Sequence, residues 1–100
     1  MKVRYRVQIL DRVRRELALD IAWWRVHRPS ARNPIREELS RACDILAQHP
    51  EAGPAAEDHP GIRRLLLVGA SYHLYYRVNH AKRQVEIVAL WHTRRRPLAM

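Results

Sequence analysis

The chain has 100 residues, 47% of them hydrophobic, and 19 Lys or Arg against 10 Asp or Glu give it a formal net charge of +9. That length supports one hydrophobic core and excludes two, and the composition excludes intrinsic disorder, so residues 1–100 are expected to form a single domain. A lone cysteine, Cys43, excludes an internal disulfide; no apolar run approaches the roughly 20 residues of a membrane span, and basic and apolar residues already alternate from Lys2 to Ile9, so neither a membrane anchor nor a secretory leader is expected and a reducing cytoplasm is.

The stretch Val3-Arg4-Tyr5-Arg6-Val7-Gln8-Ile9 puts an apolar residue at every second position, the period of a strand with one buried face. Asp11 is placed to cap a helix whose apolar positions Val13, Leu17, Ile21 and Trp24 share one side, with Arg12, Arg14, Arg15 and Arg25 mostly on the other. Of Trp23 and Trp24, one ring is expected in the core and the other against a neighbouring element. Arg28-Pro29-Ser30 breaks this helix, and Asn33 or Ser30 caps a second one, with Pro34 in its first turn and Ile35, Leu39, Ala42, Ile45 and Leu46 along its apolar face. Cys43 flanks that stripe as a small buried filler.

From His49 to Gly61 the sequence HPEAGPAAEDHPG contains three prolines, two glycines and three acids, so regular structure stops there. Three strand-like runs follow, Ile62–Val68, Tyr72–Val78 and Val85–Trp91, with links short enough for antiparallel hairpins. The last run sets Val85, Ile87, Ala89 and Trp91 on one face and Glu86, Val88, Leu90 and His92 on the other; with apolar residues on both faces it reads as a central strand. The expected fold is α+β: an N-terminal strand, a helical hairpin and a three-stranded antiparallel meander, the hairpin packing on an antiparallel sheet.

The charge is unevenly spread, with eight Lys or Arg against one acid in residues 61–100. The six histidines show no metal-ligand spacing and have no cysteine companions, and nucleotide-cradle and serine-nucleophile motifs are absent, so neither metal nor cofactor is expected. What remains is a polar set on the late strands and the chain end: Arg63, Arg64, Tyr72, His73, Tyr75, Arg77, His92, Arg94, Arg95 and Arg96. Strand alternation puts His73, Tyr75 and Arg77 on one face. Glu86 is suited to pair with an arginine across the strands. Such a density of positive charge repels itself unless an anionic partner neutralises it. One such partner is nucleic acid, with Tyr72, Tyr75 and Tyr76 stacking bases beside the arginines.

Taken in order, IAWWRVHRPSA (21–31), LAQHPEAG (46–53), GIRRLLL (61–67), YHLYYRVN (72–79) and VEIVALWHTRRRP (85–97) resemble the RelE/ParE superfamily of toxins from bacterial type II toxin–antitoxin systems, over nearly the whole chain. The ending LWHTRRR is closer to ParE-like members. The resemblance implies the fold reached above, a bacterial cytoplasmic location, and a cognate acidic antitoxin bound in a hetero-oligomer. It also implies one of two activities. ParE-like members bind DNA gyrase and trap its cleaved complex with DNA, without catalysis of their own. RelE-like members are ribosome-dependent endoribonucleases that cut messenger RNA. In RelE-like sequences an arginine opens the strand where this chain has His73, and a further basic position falls on Leu66, while Arg64 and Arg94 match basic positions. A ribonuclease built on this chain would use Arg64, His73, His92 and Arg94, with the two histidines as acid and base. The incomplete match favours the gyrase inhibitor.

Overall fold

The computed structural model of the chain describes residues 4–30 and 32–93. Its elements run β1 (Arg6–Ile9), α1 (Asp11–His27), α2 (Ile35–Gln48), β2 (Arg63–Leu67), β3 (Tyr72–Asn79) and β4 (Gln84–His92), the α+β order expected from periodicity. The strands form one sheet in the order β1-β4-β3-β2. β2, β3 and β4 make the antiparallel meander, and β4 is central. β1, however, runs parallel to β4, with Val7 opposite Val85 and Ile9 opposite Ile87. The sheet is therefore mixed and not antiparallel throughout. A parallel neighbour needs a crossover, which the two helices supply.

The strict alternation expected along β4 breaks at Val88. Tyr75 lies opposite Ala89 and Tyr76 opposite Ile87, so Val88 is the extra residue of a β-bulge. Val85, Ile87 and Leu90 enter the core under the helices, whereas Val88 and Ala89 pack with Tyr75 and Trp91 on the opposite face. The guanidinium of Arg12 donates a hydrogen bond to the Val88 carbonyl at 2.6 Å, covering the acceptor at the bulge.

α1 starts at Asp11 with Leu10 in the cap position and no side-chain cap, so Asp11 is the first helical residue and not the cap. Its carboxylate still sits at the positive end of the helix dipole. On α2, Asn33 does act at the start: its Oδ1 accepts a hydrogen bond from the Ile35 amide at 3.1 Å, and Pro34 precedes the first helical residue. Val13, Leu17 and Ile21 from α1 and Ile35, Leu39, Ala42 and Leu46 from α2 close over Leu74, Tyr76, Val85 and Ile87. Each fully buried aliphatic side chain here contributes about 1.5–3 kcal/mol. Ile45 lies off the stripe and is 47% exposed, while Ala47 is buried instead. Neither tryptophan belongs to the core: Trp24 is half-buried beneath the Arg28 guanidinium, 5.6 Å from the ring centre, and Trp23 stacks on His27 of its own helix at 4.5 Å. Cys43 is partly buried, and burial pushes its thiol up, away from reactivity. Among the described residues no helix is long and apolar enough to cross a membrane.

The proline-rich link is tied to the sheet at Gly53. Its amide donates to the Tyr76 hydroxyl at 2.9 Å, and its carbonyl accepts from Arg63 Nη1 at 2.8 Å. A Cβ at this position would meet the Arg64 carbonyl oxygen at 2.6 Å, so the close approach requires glycine.

Candidate functional site

The helices cover one face of the sheet, and the other face carries the polar residues. Two cross-strand rows define it: Arg64, Tyr75 and Ala89, then Leu66, His73 and Trp91. Arg77 and Glu86 form a third, joined by an ion pair of 2.8 Å between Nε and Oε1. Strand alternation thus puts His73, Tyr75 and Arg77 on one face as expected, the β2–β3 register adds Arg64 to it, and Glu86 pairs with an arginine as expected. Arg64 is exposed, whereas Tyr75 is buried between two imidazoles. His73 leans on Tyr75 at 6.2 Å and 58°, and His59, reaching in from the link, meets it edge-on at 6.2 Å and 90°.

Burial, and then the positive charge of Arg64, hold the His73 imidazole below its ordinary range. Both causes favour the neutral form of the ring. Its Nδ1 is enclosed and has no hydrogen-bond partner among the described residues. A neutral imidazole can accept a hydrogen bond from a hydroxyl or donate one to an anion, and the exposed guanidinium beside it can hold the anion's charge.

Other residues of the expected set lie elsewhere. Arg63 faces the helix side, held by the Gly53 carbonyl at 2.8 Å and lying 4.0 Å from Glu51. Tyr72 is buried on the same side, and its hydroxyl donates to Asp20 Oδ2 at 2.7 Å. His92 stands opposite Tyr72, their rings edge to face at 5.2 Å, beside a cleft of about 710 Å³ that Trp23, Arg28 and Ser71 also line. His73 and His92 are therefore on opposite faces of the sheet, and the acid–base pair expected of them does not assemble. The three-tyrosine stacking platform does not form either, because Tyr72 and Tyr76 are buried on the helix side and only Tyr75 faces the open side. Arg94, Arg95 and Arg96 lie outside the described residues. Sequence reasoning missed His59, which sits in an irregular link with no periodicity to place it, and Trp91, which the bulge moves to the open face. Among the described residues no three His, Cys, Asp or Glu side chains converge as metal ligands.

A four-stranded mixed sheet with two helices on one side is a fold shared with solved RelE toxins. The sequence pattern of the family described as "ParE toxin of type II toxin-antitoxin system, parDE" matches residues 7–97, and the chain belongs to that family. The fold is similar to the toxin of the archaeal RelE–RelB complex from Pyrococcus horikoshii OT3, with TM-score 0.64 and 21% identity over 96% of this chain and 100% of that one. It is similar to the isolated E. coli RelE toxin, with TM-score 0.64 and 21% identity over 92% of this chain and 87% of that one. The intact E. coli RelBE toxin–antitoxin complex gives TM-score 0.64 and 22% identity over 91% of this chain and 99% of that one. At these identities the likeness concerns the fold. No curated protein matches the sequence.

Proposed function

We propose that this chain is a ParE-like toxin that arrests bacterial growth by binding DNA gyrase, without catalysis of its own, and that a cognate acidic antitoxin neutralises it in a cytoplasmic hetero-oligomer. Residues 1–100 act as one toxin domain. Arg64, His73 and Arg77 on the open sheet face, with Tyr75 packed beneath them, meet the target or the antitoxin together with Arg94, Arg95 and Arg96. The observation that carries this reading is the separation of His73 from His92. Cutting RNA requires a base at the attacking 2′-oxygen and an acid at the leaving 5′-oxygen around one phosphate, and these two groups are divided by the sheet. Membership of the ParE family supports the same reading, and the solved RelE–RelB complexes support an antitoxin partner.

A ribosome-dependent ribonuclease is the second reading, favoured by one observation: His73, whose neutral form is favoured by burial and by Arg64, lies one row from that arginine, a pairing suited to a base beside a phosphate clamp. Two assays on the purified protein separate the readings, gyrase supercoiling and ribosome-dependent cleavage of messenger RNA. Inhibited supercoiling without cleavage is the expected result; cleavage with intact supercoiling overturns it. Expression without antitoxin should arrest growth in a permissive host, and harmless expression would remove the toxin reading altogether. Arg94→Ala combined with Arg95→Ala should weaken growth arrest more than it lowers the melting temperature.

A further inference from the structure

A second cationic surface lies at the end of the sheet where β1 and β4 begin. The Arg6 amide donates to the Arg83 carbonyl at 2.9 Å, which locks the first strand against the β3–β4 turn. Arg4, Tyr5 and Arg6 on one side and Lys82, Arg83 and Gln84 on the other line a cleft of about 410 Å³. Arg4, Arg6, Lys82 and Arg83 are all exposed, and among the described residues none of their side chains makes a hydrogen bond or ion pair. Two acids of the bordering elements, Glu51 and Glu86, are engaged elsewhere. Glu51 lies 3.1 Å from His80 Nε2 and 4.0 Å from Arg63, and Glu86 holds Arg77. Four like charges gathered without an internal counterion raise the energy of the folded state until an anion joins them.

The turn adds an independent observation. Arg83 has φ +52°, in the left-handed region that glycine or asparagine occupies more easily. The turn itself is held by the Lys82 amide donating to Asn79 Oδ1 at 3.1 Å and by the Arg83 amide donating to the His80 carbonyl at 3.3 Å, neither of which uses the arginine side chain. A residue in this backbone region with an exposed side chain at the cleft points to use of that side chain. The cleft wall is fixed as well: the Tyr5 hydroxyl and His80 Nδ1 share a hydrogen bond of 2.7 Å, and His80 Nε2 lies 3.1 Å from Glu51. Among the described residues no aliphatic side chain lines the cleft, so the described lining offers no seat for the apolar stripe of an amphipathic acidic helix. A phosphodiester backbone needs only the cations.

We propose that the cleft between Arg4–Arg6 and Lys82–Arg83 binds the phosphodiester backbone of nucleic acid, at a surface separate from the Arg64, His73 and Tyr75 face and independent of whether gyrase is the target. Binding is charge-driven, insensitive to base sequence and steeply weakened by salt.

The test is fluorescence anisotropy of the purified full chain with a short labelled DNA duplex and, separately, a single-stranded RNA of the same length, across a potassium chloride series. Arg6→Gln with Lys82→Gln should weaken binding and reduce the salt slope by about 2. Arg15→Gln with Arg41→Gln removes the same charge from the helices and should leave the slope unchanged. Arg83→Gly should weaken binding while the melting temperature holds or rises, an outcome that a purely structural role for Arg83 cannot give. Tighter binding of duplex or of RNA identifies the source of the phosphates, and either supports the site. Equal losses from the two double variants, unchanged binding in Arg6→Gln with Lys82→Gln, or polyglutamate displacing nucleic acid at equal charge would each overturn it. Gyrase is absent from the assay, so failure of the gyrase reading leaves this result untouched.

Discussion

Arg77 and Glu86 face each other across β3 and β4 on the open side of the sheet, Nε to Oε1 at 2.8 Å, so one of the arginines expected to meet a target is already neutralised within the fold. Arg64, one row away, has no such partner among the described acids. Arg64→Ala should therefore weaken target inhibition more than Arg77→Ala does. Glu86→Gln should release Arg77 and strengthen inhibition by about two- to fivefold, equivalent to about 0.5–1 kcal/mol. The pair is partly exposed, so its loss should cost no more than about 1 kcal/mol of stability. Half-inhibitory concentrations in a supercoiling assay, read beside thermal melts, check both statements; weaker inhibition by Glu86→Gln would contradict the assignment.

Gly53 and Tyr76 carry the join between the proline-rich link and the sheet. Tyr76→Phe keeps the buried ring but leaves the Gly53 amide without its acceptor, which should cost about 1–3 kcal/mol. Gly53→Ala should cost a similar amount, about 1–3 kcal/mol, because its Cβ would press on backbone. Denaturant unfolding measures both. A neutral result for Gly53→Ala would mean that the link can move off the sheet at no cost. Burial pushes the Tyr76 phenol above its ordinary range despite the Gly53 hydrogen bond, so it should not ionise at a pH where the fold is intact.

The pH dependence of stability should carry a mark of His73. Its folded-state value is lowered, first by burial and then by Arg64, so the unfolded chain binds the proton more readily. The stability this contributes is present above the unfolded value of about 6.5 and is lost as pH falls through the lower folded value. Wild type should consequently lose more melting temperature between neutral and mildly acidic pH than His73→Gln does. Titration of the His73 ring by NMR should give a midpoint below that of a free imidazole, and Arg64→Ala should raise it part of the way. A midpoint at or above the free value would show that the ring is solvated.

The order of elements and the membership of most core positions could be read from periodicity, because one-sided burial writes a period of two on strands and of 3.6 on helices. Val13, Leu39, Leu46 and Ile87 are buried where that pattern puts them. Which strand pairs with which is a different kind of information. The parallel seat of β1 beside β4 depends on where the crossover lands, and nothing in Val7 or Ile9 encodes its direction. The candidate site was half legible for the same reason. His73, Tyr75 and Arg77 share a face by alternation on an uninterrupted strand, whereas the assignment of Trp91 failed because it lies beyond a bulge that carries no glycine to announce it. Arg63 and Tyr72 were expected to reach a partner, but each is held by a group distant in sequence, Gly53 and Asp20, that only the tertiary fold brings near.

The bulge at Val88 is itself a testable support of the open face. It re-aims Ala89 and Trp91 toward Tyr75 and His73, and leaves the Val88 carbonyl outside the regular ladder, where Arg12 covers it at 2.6 Å. A guanidinium on a carbonyl is a charge-assisted hydrogen bond, stronger than a neutral one. Arg12→Ala should cost about 1–2 kcal/mol and loosen the β4 segment around the bulge. Arg12→Lys, which retains the charge and part of the reach, should recover some of that loss, whereas Arg15→Ala on the same helix should cost little. Hydrogen exchange reports the local effect: amides of Ala89, Leu90 and Trp91 should exchange faster in Arg12→Ala, with those of β2 following only the global change. If exchange along β4 is unaltered while Arg12→Ala still destabilises the protein, Arg12 acts through α1 and not through the bulge. If target inhibition falls together with the faster exchange, the bulge is what keeps Trp91 in register with His73.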